Sequence, residues 1–144
     1  MDKNSLNRFL SAQEKVYEKA LSEIKGGKKR RQWMWVIFPQ LRGLGFSENS
    51  VFYGISGLAE AKEYLRHPVL GLRLKECCEA LLMLENRTAE DIFDCIDDMK
   101  LLSCLTLFEV ADEGGSVFSE TRKKYFNNQK DEVTLTILEK ENLV

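Results

Sequence analysis

The chain has 144 residues, 44% of them apolar and 31% charged, a composition that excludes a disordered or low-complexity polypeptide and suffices for a core without disulfides or a structural metal. Its formal net charge of −2 excludes a global basic field, so neither nucleic acid nor an acidic membrane is expected as a non-specific partner. No apolar run approaches the roughly 20 residues that span a bilayer.

Met1–Ser5 runs straight into an amphipathic pattern without the charged and apolar regions of a signal peptide, so a cytoplasmic protein is expected. From Leu6, apolar residues recur at Phe9, Leu10, Val16, Tyr17, Ala20, Leu21 and Ile24, which is a helical stripe. Asn4 or Ser5 is suited to cap this helix, and Gly26-Gly27 to end it. Lys28-Lys29-Arg30-Arg31 follows, the one dense charge run of the chain.

Trp33 to Phe38 is apolar on every side and therefore core, either a buried helical turn or two or a short strand, with helix favoured. Pro39 drives Phe38 toward an extended conformation. Gln40 to Ser47 contains two glycines and reads as an ordered loop pinned by Leu41 and Leu44. Ser56 is placed to cap a helix through Ala61 to Leu65, which His67-Pro68 stops. Pro68 suits the first position of the next helix, expected over Val69 to Leu84 with the stripe Leu70, Leu74, Cys77, Leu81 and Leu84.

Thr88-Ala89-Glu90-Asp91 is a capping-box pattern for a short helix ending near Phe93. Asp97 is a second candidate cap, for a helix carrying Leu101, Leu105 and Phe108. Asp112 to Ser116 reads as a turn, Ser116 as the restart of a helix that Asn127-Asn128 break, and Asp131 as the cap of a last short helix through Leu138. The fold class expected is therefore all-α, a compact multihelical single domain over residues 1–144 with about six or seven helices.

Four residues are cysteines, Cys77, Cys78, Cys95 and Cys104. Without a CxxC motif, and with His67 as the sole histidine, they read as reduced thiols, and no metal site or cofactor is expected. The basic run followed by Trp33 and Trp35 could neutralise phosphate and stack a planar ring, or be a solvated charge run leading into core. Lys100, Ser103 and Thr106, three apart, could activate a hydroxyl, hold an anion, or be exposed polar positions opposite the apolar face. Gln40 and Arg42 stand in a loop position suited to presenting functional groups, and His67 before Pro68 suits a cap or turn.

The segment Trp33-Met34-Trp35-Val36-Ile37-Phe38-Pro39-Gln40-Leu41-Arg42-Gly43-Leu44-Gly45 resembles a family of small, mostly bacterial proteins catalogued as domain of unknown function eighteen-ten, sometimes labelled calpastatin. The likeness continues through Phe52-Tyr53-Gly54-Ile55, His67-Pro68-Val69-Leu70-Gly71, Asp98-Met99-Lys100-Leu101, Ser103, Thr106-Leu107-Phe108 and Phe126, nearly to the end of the chain. It implies a compact multihelical fold and no assigned activity. Where members usually read Ser-His-Trp this chain has Arg31-Gln32-Trp33, and where they read Lys-Leu-Arg-Ser it has Lys100-Leu101-Leu102-Ser103. A histidine base or an arginine clamp at those positions is thus not carried over, since Gln32 does not titrate near neutrality.

The functional expectation is a small-ligand-binding or accessory module for an anionic, nucleotide-like molecule, with Trp33, Gln40, Arg42, Tyr53, Lys100 and Ser103 at the site. The alternatives are a hydrolase or glycosidase acting on a nucleotide or ADP-ribose derivative, and a protein-interaction adaptor with an exposed apolar face.

Overall fold

The computed structural model describes residues 6–112 and 117–142. Eight α-helices occur among them: α1 (Asn7–Lys25), α2 (Met34–Ile37), α3 (Glu48–Phe52), α4 (Leu58–Arg66), α5 (Leu70–Met83), α6 (Ala89–Ala111), α7 (Val117–Phe126) and α8 (Glu132–Asn142). The all-α class is as expected, with more helices than the sequence suggested. None is long and apolar enough to cross a membrane.

α1 ends where the glycines stand, Gly27 taking a φ of +82° that a side chain would oppose. Its expected caps, Asn4 and Ser5, lie outside the described residues. The apolar Trp33–Phe38 segment folds as the single turn α2, lying against α1, and Phe38 leaves it with φ −122° and ψ 71°. The chain then forms an isolated parallel bridge, Leu41 with Ile55, around α3, which Ser47 caps through the Ser50 N–H at 3.1 Å. Gly54 sits so close to Arg42 that a Cβ there would lie 2.8 Å from the Arg42 Cα, so this crossing accepts only glycine.

α4 starts at Leu58, and Ser56 does not cap it: the Ser56 N–H instead donates to Glu60 Oε1 at 2.8 Å. The His67 ring caps the start of α5, its Nδ1 accepting from the Val69 and Leu70 N–H groups at 3.1 and 3.3 Å. Pro68 precedes that helix by two positions rather than opening it.

The capping box of Thr88 and Asp91 is present at the start of α6. The break in α6 falls at Asp94, whose φ of +67° interrupts the helix, and not at Asp97, which stays helical. Beyond it every residue from Leu101 to Phe108 is buried, including Ser103 and Thr106. This half of α6 is the central rod of the protein, packed against α4, α7 and α8, and the reading of Ser103 and Thr106 as exposed polar positions is corrected. Thr106 is satisfied inside the protein, donating to the Leu102 carbonyl at 2.8 Å and accepting the Asp131 N–H at 3.0 Å.

Of the expected turn from Asp112 to Ser116, residues 113–116 lie outside the described residues. α7 ends at Asn127, in the left-handed region at φ +57°, as its sequence suggested. Asp131 caps α8 through the Thr134 N–H at 3.1 Å, and the helix runs past Leu138 to Asn142. Rings of Phe9, Tyr64, Phe108 and Phe118 link α1, α4, α6 and α7 through successive contacts of 5.2 to 5.9 Å between centroids.

Candidate functional site

The geometry of the site begins with Glu23 on α1. Its buried Oε1 accepts from the Arg30 N–H at 2.7 Å, the Arg31 N–H at 3.1 Å and the Trp33 indole at 2.8 Å, while Oε2 takes the Arg31 guanidinium at 2.5 Å. Burial alone would raise this carboxyl, but the hydrogen bonds, led by that from the Arg30 N–H, outweigh it and hold the group at about 2. Glu23 thereby folds the basic run back onto α1 and fixes where α2 begins.

The run is tied down by ion pairs, yet Arg30 and Arg31 stay exposed and only the Lys29 side chain is withdrawn from water. Lys28 pairs with Asp94 at 2.9 Å, Lys29 with Asp97 at 2.9 Å, and Arg31 with Glu23. The Lys29 side chain is only 8% exposed and lies over the Trp33 ring at 5.4 Å.

Asp97 also binds Lys100 at 3.0 Å, so two ammonium groups share one carboxylate. Burial pushes the Asp97 carboxyl up, and the hydrogen bonds from Lys29 and Lys100 more than offset this and hold it below its ordinary value. Lys100 Nζ lies 3.9 Å from the centre of the Trp35 ring, which fixes its second side. It makes no hydrogen bond to Ser103, whose hydroxyl donates to the Met99 carbonyl at 3.2 Å, so the pair is not arranged as a lysine-activated nucleophile.

A cleft of about 350 Å³ opens beside this assembly, lined by Trp35, Gln40, Lys100, Ser103 and Asp131, with Leu44, Ile96, Met99 and Val133 among its apolar residues. Three of the six residues expected at the site thus share it: Gln40, Lys100 and Ser103. Trp33 and Tyr53 line a neighbouring cleft of about 230 Å³ together with Gln32, Asn49 and Trp35. Trp35 is the residue common to both clefts, and it is half-buried, whereas Trp33 is 1% exposed with its indole N–H committed to Glu23. The expectation that both indoles are core therefore holds for Trp33 and is corrected for Trp35.

Arg42 lines neither cleft. Its guanidinium holds the crossing together, donating to the Val51 carbonyl at 3.0 Å and the Gly54 carbonyl at 3.0 Å. A larger cleft of about 510 Å³ lies between α1 and the residues Phe52 and Tyr53, and contains Tyr53 alone of the expected set. The Arg8 that lines it is a buried structural cation, clamped on Glu60 at 3.0 and 3.1 Å.

Among the described residues no group of three or more His, Cys, Asp or Glu side chains is arranged to hold a metal ion. The cysteines are all free; Cys77, Cys78 and Cys104 are buried, and Cys95 is exposed.

Comparison with known proteins gives two matches. Residues 3–138 match the family described as "Protein of unknown function (DUF1810)". The crystal structure of the conserved hypothetical protein Rv1873 from Mycobacterium tuberculosis is 44% identical in sequence, with a TM-score of 0.92 over 95% of this chain and 98% of that one. No curated protein matches.

Proposed function

The chain belongs to the DUF1810 family of proteins of unknown function, and we propose that it binds a small anionic, nucleotide-like molecule in the cleft beside Trp35. The observation that carries this is the fixed cation: Lys100 is held by Asp97 at 3.0 Å and by the Trp35 ring at 3.9 Å, and lines an open, mainly apolar cleft that also holds Gln40, Ser103 and Asp131. An exposed, mobile lysine gains at most about 1 kcal/mol from an anion, because water screens it and its side chain must be ordered. A lysine ordered in advance and partly withdrawn from water escapes much of both costs.

Among the described residues Lys100 is the one cation lining the cleft and Asp131 the one carboxylate, so the place of an anion there is set by the position of Lys100 and not by a net positive charge. The volume of about 350 Å³ is at the lower end of small-molecule pockets, suited to a ligand no larger than a mononucleotide. The basic run contributes little to this site, since Lys28, Lys29 and Arg31 are already paired.

The hydrolase or glycosidase alternative has less support. Asp131 is the one carboxylate lining the cleft, and its Oδ2 is engaged by Thr134, whereas glycoside hydrolysis commonly uses two carboxylates flanking the bond. The adaptor alternative draws on the exposed apolar side chains of Ile96, Met99 and Val133 that line the same open cleft; the fixed Lys100 beside them favours a small anion over an apolar partner surface. We place the protein in the cytoplasm, its thiols reduced, as one domain.

The test is a thermal-shift screen of nucleotides and phosphorylated metabolites, followed by affinity measurements on Lys100→Met and on a Lys28→Ala/Arg30→Ala double variant. Lys100→Met is expected to weaken binding by about 10-fold or more while the double variant binds normally. Loss of binding in the double variant with full affinity in Lys100→Met moves the site to the basic run, and a screen without a stabilising anion counts against the proposal.

A further inference from the structure

Resting on the cleft as the binding site, we infer that Gln40 selects the ligand, and that the ligand carries, besides its anionic group, a planar amide-type edge with a donor and an acceptor side by side. Gln40 is 8% exposed and lines the cleft. Each of the other strongly buried polar side chains among the described residues has at least one hydrogen bond; the Gln40 amide has none. Gln13 shows what a buried glutamine ordinarily achieves here: its amide donates to the Val36 carbonyl at 2.8 Å and Tyr64 hydroxyl at 3.1 Å, and accepts from Arg73 at 3.2 Å.

The fully buried side-chain atoms without a partner among the described residues are Asp98 Oδ1 and Asp112 Oδ2, not those of Gln40, so the Gln40 amide reaches the water of the cleft and keeps its pairing capacity for a ligand. Its backbone is fixed. Gln40 follows buried Pro39, its carbonyl accepts the Ile55 N–H at 2.9 Å, and the Arg42 N–H donates to the Ile55 carbonyl at 2.7 Å, so the parallel bridge holds the residue in place. The amide is presented to the cleft by a fixed main chain, with both its oxygen and its nitrogen open to pairing.

The neighbouring groups add a pattern. The Ser103 proton is used on the Met99 carbonyl, so its oxygen offers only lone pairs to the cleft. Asp131 is a further acceptor, while Lys100 supplies donors. The exposed side chains of Ile96, Met99 and Val133 line the same cleft and favour an apolar or aromatic ligand body. Taken together, these surfaces fit a planar ring bearing an acid group for Lys100 and an amide edge for Gln40, with its N–H groups toward Ser103 and Asp131.

The experiment compares meta-carbamoylbenzoate with meta-acetylbenzoate, which have the same charge and nearly the same shape, while the second replaces the amide NH₂ with a methyl group. Binding of each is titrated by NMR on the wild-type chain, on Gln40→Leu, on Gln40→Glu and on Lys100→Met, with melting curves confirming that each variant folds. The carbamoyl compound is expected to bind about 10-fold more tightly to the wild type. Gln40→Leu and Gln40→Glu are expected to reduce that preference to about two-fold or less. Equal binding of the two probes by the wild type, or a preference that survives both Gln40 variants, overturns the role of Gln40; if Lys100→Met still weakens both probes, the cleft itself stands. Binding of neither probe at millimolar concentration, or binding indifferent to Lys100→Met, overturns the cleft and the selectivity together.

Discussion

Replacing Glu23 tests the framework that holds the site. In Glu23→Ala the Trp33 indole N–H and the backbone N–H groups of Arg30 and Arg31 lose their common acceptor. Each orphaned donor costs about 1–3 kcal/mol when buried, but water can reach the Arg30 and Arg31 side, so a total of about 3 kcal/mol is expected. For a chain of 144 residues that is a drop in melting temperature of about 10 °C. The pH dependence gives a second reading. Glu23 titrates at about 2 instead of its ordinary 4.5. A depressed carboxyl contributes stability that is fully present above pH 4.5 and is lost as the pH falls from 4.5 toward 2. Taken whole, the shift is worth roughly 3 kcal/mol; Arg31 is 58% exposed and its share is screened, which leaves about 2 kcal/mol. Glu23→Gln, which keeps the shape and loses the charge, is therefore expected to flatten the acid limb of stability in urea melts taken across this range. A fall of less than about 3 °C in Glu23→Ala, or identical acid limbs in wild type and Glu23→Gln, would refute the reasoning.

Trp33→Ala is expected to cost roughly 3–5 kcal/mol and Trp35→Ala about half as much, because only Trp33 is fully buried; urea midpoints in the opposite order contradict this. Asp97→Asn leaves Lys29 and Lys100 side by side without their carboxylate, so stability is expected to fall by about 1–2 kcal/mol; an unchanged melting temperature contradicts the shared ion pair. Burial pushes the Cys77 thiol up to about 12 and also raises Cys78 and Cys104. Thiol titration is thus expected to count one fast group in the native protein, Cys95, and four after denaturation. Stoichiometric zinc or fewer thiols contradicts it.

Local signals in the sequence carried much of the fold. The apolar period of α1, the capping box of Thr88 and Asp91, the Asp131 cap and the stop at Asn127 are each set by residues within one helical turn of one another. Ser47 followed by Glu48 was a readable start signal for α3, and the Gln40–Ser47 loop reading passed over it. The burial of α6 was also readable, since Leu101 to Phe108 is apolar on all sides apart from small Ser103 and Thr106, whose hydroxyls bond back to the helix. What could not be read depends on distant partners. Glu23 looks like any polar-face glutamate until the chain from Arg30 to Trp33 folds back upon it, and Asp97 looks like a helix cap until two lysines meet it. At the site, the spacing of Lys100 and Ser103 was informative and Gln40 joined them, but the choice of Trp33 over Trp35 could not be made from a run that is apolar on every side.

The two tryptophans offer the most direct test of the cleft. A nitrogen–proton correlation spectrum of the labelled protein contains one indole signal from each, assigned by Trp35→Phe, and is followed while a stabilising nucleotide or phosphorylated metabolite is titrated in. The Trp35 indole, which lines the cleft beneath Lys100, is expected to move saturably with the ligand, and to stay still in Lys100→Met. The Trp33 indole, bonded to Glu23 at 2.8 Å, is expected to hold its position throughout. A ligand that shifts Trp33 and leaves Trp35 unmoved, or one whose effect on Trp35 persists unchanged in Lys100→Met, contradicts the account.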